Sequence, residues 1–137
     1  MLRELEVRDL GIIDTIRLEL PPGLVALTGE TGAGKSLLVQ SLQLLAGERA
    51  DSEQVRSGSE RLVVEACFDT PRSEPARAEL EELGVGSGDE VALRREVTTA
   101  GRSRAWIDDV QVTVGALQRL APYLLAIHGQ HEQRGLA

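Results

Sequence analysis

Asparagine is absent from this chain, lysine and cysteine each occur once, and Phe68, Trp106 and Tyr123 are its only aromatic residues. Each shortage excludes something. With Cys67 alone, no disulfide can close within the chain, and a reducing cytoplasm is the expected compartment. Three aromatic residues in a sequence that is 42% hydrophobic call for an aliphatic core. No apolar run approaches the roughly 20 residues that a membrane-spanning helix needs. Met1 leads straight into Leu2-Arg3-Glu4-Leu5-Glu6-Val7, which alternates in polarity, so no signal peptide is expected. A formal net charge of −7 argues against an extensive nucleic-acid surface on this segment, while leaving room for a local basic patch. There are no internal repeats and no low-complexity tract. At 137 residues the chain is one small domain or part of a larger one.

The single lysine stands at position 35, against fourteen arginines elsewhere. It falls inside Gly29-Glu30-Thr31-Gly32-Ala33-Gly34-Lys35-Ser36, a complete G-x-x-x-x-G-K-S phosphate-binding loop. A slim ammonium can reach between the β- and γ-phosphates of a nucleotide, where a planar guanidinium is too broad. The glycines let the backbone curl so that successive N–H groups face the phosphates, and Ser36 is placed to ligate Mg²⁺. The context agrees with the motif. Leu24-Val25-Ala26-Leu27 is a short apolar run led in by Pro21-Pro22-Gly23 and reads as a buried strand. After Ser36, apolar residues at 38, 42 and 45 recur at helical spacing, and Gly47 is a natural stop.

Along the rest of the chain, residues 2–10 and 12–20 read as two half-exposed strands separated by Gly11. Residues 48–60 read as a loop. Arg61 to Asp69, Glu90 to Thr98 and Ser103 to Ile107 alternate and read as strands. Asp108-Asp109 makes a tight turn into Val110-Gln111-Val112. Pro71 to Leu83 reads as an amphipathic helix ended by Gly84, and residues 113–121 as a helix ended by Pro122. Tyr123 to Ile127 reads as a buried strand leading into His128-Gly129-Gln130-His131-Glu132.

The class of phosphate-binding protein narrows by elimination. Without asparagine there is no N-K-x-D element to read guanine. No aromatic residue precedes Phe68, so the adenine-stacking contact usual in transporter ATPases is missing. The ABC-type ATPases outside the transporters remain. Within them, Leu5-Glu6-Val7-Arg8-Asp9-Leu10-Gly11-Ile12-Ile13-Asp14 resembles the opening of the RecN family, SMC-like bacterial ATPases of DNA double-strand-break repair. The Gly29–Ser36 loop with its Glu-Thr matches that family too. So do Gly47-Glu48-Arg49-Ala50-Asp51, Gly101-Arg102-Ser103-Arg104-Ala105-Trp106-Ile107 and Ile127-His128-Gly129-Gln130-His131-Glu132, in the same order. Asp108-Asp109 departs from the more usual Asn-Gly, and both pairs suit a hairpin turn.

The resemblance implies an α/β fold. It would be the N-terminal lobe of an ABC/SMC-type P-loop NTPase head, with an antiparallel β-subdomain and part of a mainly parallel sheet. Residues 1–137 would then be an incomplete domain, lacking the coiled coil and the C-terminal lobe. It implies ATP and Mg²⁺ as ligands and ATP hydrolysis in the complete protein. Gly29, Glu30, Thr31, Gly32, Ala33, Gly34, Lys35, Ser36 and Leu37 would bind the nucleotide, with Arg8 and Asp9 near the base or ribose. Lys35 and Gln130 would be catalytic, and Ser36 and Gln130 would serve the metal. The implied partners are the C-terminal lobe, a second ATP-bound head and DNA ends, with no membrane. The implied setting is the bacterial cytoplasm, at the nucleoid when active.

What is missing points the same way. An ABC-type ATPase needs an apolar strand ending in Asp-Glu and an S-G-G-[QE] signature. Ala105-Trp106-Ile107-Asp108 is too short and lacks the Glu, Phe68-Asp69 ends an alternating strand, and Ser57-Gly58-Ser59-Glu60 lacks the second glycine. His128 and His131 have no third ligand nearby to form a metal site, so His131 reads as a supporting or interface residue. Arg49 and Arg56 are either contacts to phosphate or DNA or solvated loop charges. Arg94, Arg95, Arg102 and Arg104 read as a small basic patch on one face, and Trp106 as a core or lobe-packing residue. Two other readings remain open from the residues: a nucleotide-binding scaffold without turnover, and a small-molecule P-loop kinase.

Overall fold

A computed structural model of the chain describes residues 2–19 and 32–125, with only the backbone of 32–35. The strand Leu24–Leu27 expected from the sequence lies outside these residues. The described strands are β1 (Leu2–Leu10), β2 (Ile13–Glu19), β3 (Arg61–Asp69), β4 (Glu90–Thr98), β5 (Ser103–Ile107) and β6 (Val110–Val112). They form one sheet in the order β2-β1-β3-β4-β5-β6, and every pairing among the described residues is antiparallel. The helices are α1 (Gly32–Leu45), α2 (Glu74–Leu83) and α3 (Val114–Leu124).

Period-two alternation decides which face is buried. Leu5 and Val7 of β1, Leu62, Val64, Ala66 and Phe68 of β3, Val91, Leu93 and Val97 of β4, and Ala105 and Ile107 of β5 share the core with Leu42, Leu44 and Leu45 of α1 and Leu117 and Leu120 of α3. The core is aliphatic apart from Phe68, as the composition requires. The opposite face is charged. There Arg17 pairs with Glu4, Arg8 with Glu6 and Glu65, and Arg94 with Glu65 and Glu96. Arg94 also lies over the Trp106 ring, 5.1 Å from its centroid. Trp106 therefore packs on the outer face, under a cation.

The two-residue turns of the β1–β2 and β5–β6 hairpins follow from their residues. Leu10 pairs with Ile13 across Gly11-Ile12, with Gly11 at φ 59°. Ile107 pairs with Val110 across Asp108-Asp109, at φ 50° and 67°, the left-handed pair of a type I′ turn. Aspartate enters that region more readily than most residues. Here the Asp108 carboxylate accepts hydrogen bonds from the amides of Gly86 and Ala92, each at 2.9 Å.

α2 opens at Glu74 and not at Pro71, and two further sequence expectations are corrected. Pro122 does not end α3, which runs on to Leu124. Proline removes only its own amide, and the next turn still closes through the Leu125 amide to the Ala121 carbonyl at 2.8 Å, while Leu120, Ala121 and Leu124 bury the helix's apolar stripe. Consequently Tyr123 and Leu124 are helical instead of opening a buried strand, and Tyr123 is exposed. Ala126 and Ile127 lie outside the described residues. The second correction is to the start of α1, which begins at Gly32, inside the phosphate-loop motif, and not after Ser36.

The C-terminus of α1 is closed by a Schellman arrangement. The Glu48 amide donates to the Gln43 carbonyl and the Gly47 amide to Leu44, both at 3.1 Å, with Gly47 at φ 86°. A Cβ built on Gly47 would stand 2.5 Å from Gln118 Cγ and 2.9 Å from its backbone nitrogen, so α3 approaches too closely for any side chain. Gly47→Ala is therefore expected to cost roughly 2–4 kcal/mol, from left-handed strain plus overpacking. Gly58→Ala is the control. Gly58 has φ 90° but nothing within 4 Å of a built Cβ, so only the strain of about 1–2 kcal/mol applies. Urea midpoints of the two variants should differ in that order. Equal midpoints would mean that the α1–α3 contact gives way.

Candidate functional site

The site grows from the first turn of α1. The first amides of a helix lack carbonyl partners and carry the positive end of its dipole, which favours a phosphate. Gly32, Ala33, Gly34, Lys35 and Ser36 make this start, and no acidic residue stands in the first turn to compete for it. Ser36 is exposed, and Leu37 turns inward to pack against the core.

The tip of the β1–β2 hairpin stands next to that turn. A Cβ built on Gly11 would touch Leu37 Cδ2 at 3.4 Å. Beside it, Ile12 is 80% exposed. The segment following α1 comes back to the same place. Asp51 caps the short 3-10 turn Ser52–Gln54 through a reciprocal pair of hydrogen bonds with Gln54. The chain then zips onto the end of β1: the Gly11 amide donates to the Gln54 carbonyl and the Arg56 amide to the Asp9 carbonyl, both at 2.8 Å. Asp9 holds φ 57° to make this possible. Leu37 near the start of α1, the Asp9–Ile12 tip and the Asp51–Arg56 segment thus meet at the end of the β1–β2 hairpin.

The sequence candidates sort as follows. Gly32 to Leu37 form the start of α1, and the Asp9 carbonyl accepts from the Arg56 amide. Arg8 neighbours Asp9 in the chain, but its guanidinium is 3.2 Å from Glu65 and 3.6 Å from Glu6, on the face away from the buried Leu5 and Val7. Arg56 reaches the site edge through its backbone. Gly29, Glu30, Thr31, His128, Gln130 and His131 lie outside the described residues. Among the described residues, no group of three His, Cys, Asp or Glu side chains is arranged to hold a metal. A groove of about 270 Å³ opens on the outer face, but its Glu4, Glu6 and Glu65 carboxylates are paired with Arg17, Arg8 and Arg94. In the same groove the Cys67 thiol is pushed up to about 11, chiefly by burial, so it is a poor nucleophile near neutral pH.

The expected basic patch is not there. Strand alternation puts Arg94 and Arg95 on opposite faces. Arg102 and Arg104 are exposed at the β4–β5 hairpin, whereas Arg95 is only 2% exposed. Its Nη1 donates to the carbonyls of Leu44 at 2.6 Å and Glu48 at 3.0 Å, and its Nε donates to Ser103 Oγ at 2.9 Å. Burial lowers its pKa from the ordinary arginine value, yet a guanidinium keeps its charge in proteins. The sequence reading missed this role. The signal was the position of Arg95 in the apolar stripe Val91, Leu93, Val97.

No protein-family model matches the chain, but individual relatives do. It is 45% identical over 136 residues to the DNA repair protein RecN of Xylella fastidiosa strain Temecula1, covering 99% of this chain and 24% of that protein. It is 45% identical over 133 residues to the DNA repair protein RecN of Streptomyces coelicolor, covering 96% of this chain and 23% of that protein. The chain thus spans about a quarter of the length of these relatives. Among solved structures, it matches one on the ATP-driven dimerization and DNA stimulated activation of SMC ATPases, with TM-score 0.69 and 19% identity over 89% of this chain and 78% of that one. With that fold and those relatives, the chain belongs to the RecN family of DNA repair proteins and carries the fold of an SMC-type ATPase head.

Proposed function

We propose that the chain is the ATP-binding N-terminal lobe of a RecN-type ATPase head, acting in the recombinational repair of DNA double-strand breaks. The observation that carries this reading is the G-x-x-x-x-G-K-S motif running directly into α1, with the hairpin tip Asp9–Ile12 and the Asp51–Arg56 segment set against the start of that helix. The loop amides and Lys35 hold the β- and γ-phosphates of ATP. The reaction is phosphoryl transfer to water, in which positioning and charge stabilisation do most of the catalysis.

Ser36 and Gln130 are the residues that would hold Mg²⁺. The exposed hydroxyl of Ser36 in a first turn free of carboxylates suits a metal-bound phosphate. When bound, the metal neutralises charge on the phosphates. The general base and the signature motif come from the C-terminal lobe and from a second head, so ATP sandwiched between two heads joins dimerisation to hydrolysis. The solved SMC ATPase structure with this fold concerns ATP-driven dimerization and DNA stimulated activation, which supports carrying both properties over. DNA ends are the proposed partner, in the cytoplasm at the nucleoid. No helix among the described residues is long and apolar enough to cross a membrane.

Gln130 tests the reading. A glutamine that touches metal and attacking water acts mainly in the transition state. In the complete protein, Gln130→Ala is expected to lower kcat by about tenfold or more, with ATP affinity changed only a few-fold. Steady-state turnover and equilibrium ATP binding check this. Lost affinity at an unchanged kcat would make Gln130 a ground-state contact. A complete protein that binds no ATP would overturn the function itself.

A further inference from the structure

Resting on the nucleotide reading above, we propose that Arg95 is a positioning residue for the phosphate-binding helix. It touches no nucleotide and acts through α1, fixing the end of the helix opposite Lys35 and Ser36.

Arg95 stands in a stripe otherwise filled by Val91, Leu93 and Val97, so an aliphatic side chain would satisfy packing there. Burying a guanidinium instead is costly unless its donors are used. Among the described residues no carboxylate partners it. Its bonds go to Leu44 and Glu48, at the C-terminal end of α1, and to Ser103 on the neighbouring strand β5. That end of a helix carries the negative pole of the dipole, where a cation is stabilised. Only a rigid fork of donors spans carbonyls on one element and a hydroxyl on another. Gln118 holds the same end from the other side, its Nε2 donating to the Gly47 carbonyl at 2.8 Å. The helix end is thus fixed from the sheet and from α3 together.

What is fixed at one end of α1 is fixed at the other. The 14 residues Gly32–Leu45 form one continuous α-helix. From Leu44 back to Lys35 the rise is about 13 Å, so a tilt at the C-terminal end displaces the loop amides, Lys35 and Ser36 from the phosphates. Position errors of this kind at a binding site cost affinity well beyond any loss of direct contacts. Through Ser103 the same guanidinium ties β5 to the helix, so the sheet and the phosphate loop keep one frame.

The test uses the complete protein and ATP as the probe. Equilibrium ATP binding is measured beside thermal unfolding for wild type, Lys35→Ala, Arg95→Met, Arg95→Lys and Ser103→Ala. Arg95→Met is expected to lower ATP affinity by about tenfold or more in protein that is still folded by circular dichroism. Arg95→Lys keeps a charge able to donate to the carbonyls but loses the fork that also reaches Ser103, so it should recover only part of that affinity and stay measurably below wild type. Ser103→Ala removes one partner only and should cause a smaller loss. A merely structural arginine would lower the melting temperature and leave the affinity of the folded protein unchanged, and that result in Arg95→Met overturns the proposal. Should Arg95→Met fail to fold, wild-type affinity in both Arg95→Lys and Ser103→Ala, with lowered melting temperatures, overturns it equally. A wild type that binds no ATP, or a Lys35→Ala variant that binds as well as wild type, overturns the nucleotide reading on which the proposal rests.

Discussion

Lys35→Ala in the complete protein is expected to abolish nucleotide-dependent head dimerisation and to lower ATP hydrolysis by at least about a hundredfold. The fold should survive. Lys35 belongs to the first turns of α1, and alanine is the best helix former, so the helix is not weakened by the change. On the proposed reading, what is removed is the charge that binds the phosphates, and its contribution would grow as the transferred group takes on charge in the transition state. Lys35→Arg is the sharper variant. It keeps the charge and widens the head group, and the broad fork is expected to be excluded from the loop, leaving activity far below wild type. The chain itself suggests this, since arginine fills fourteen basic positions and lysine only this one. Light scattering with and without ATP, phosphate release and circular dichroism check the three statements together. Near-normal turnover by the arginine variant would sink the explanation for the solitary lysine, and a collapsed helical signal in Lys35→Ala would make the residue a structural one.

The sheet was legible in the sequence, as were the glycine stops at Gly47 and Gly84, but other helix limits were not, for a physical reason. β3, β4 and β5 begin and end at the residues expected from alternation, Arg61–Asp69, Glu90–Thr98 and Ser103–Ile107. Each has one face in the core and one in solvent, and a period of two survives in sequence only under that asymmetry. Helix limits depend on who satisfies the terminal amides and carbonyls. Pro122 looked like a stop, but its cost is a single hydrogen bond near the C-terminus, outweighed by the burial of Leu120, Ala121 and Leu124. Alternation also held the news that Arg94 and Arg95 part company. Counting arginines along the chain hid it. The partners of Arg95 could not be read at all, because the Leu44 carbonyl lies 51 positions away. At the site, Gly29 to Thr31 of the motif lie outside the described residues, and what the structure describes is the start of α1. The neighbours that frame it, the Gly11 tip and the Asp51–Arg56 segment, come together through backbone hydrogen bonds that no side-chain pattern encodes.

Residues 1–137 by themselves are expected to turn over ATP at no more than about a hundredth of the rate of the complete protein. The sequence offers three imitations of the general-base and signature elements, and the structure gives the side chains of two of them other employment. Asp69, at the end of β3, accepts a hydrogen bond from Arg3 Nε at 2.8 Å, and that guanidinium holds its carboxyl below the usual aspartate value. Asp108 is occupied by the amides of Gly86 and Ala92 in the β5–β6 turn. Neither carboxylate is a free base facing the start of α1. The third imitation, Ser57 to Glu60, lies in the exposed turn after Arg56, with Gly58 at φ 90°. A site without a base or a partner's signature retains binding and loses the chemistry. The measurement is phosphate release by 1–137 alone, by 1–137 together with the rest of the protein, and by the complete protein, with ATP binding followed in parallel. Restored turnover in the mixture is the expected result. If 1–137 alone matched the complete protein, the base would lie within this chain, and the assignment of the chemistry to a second lobe and a second head would fall.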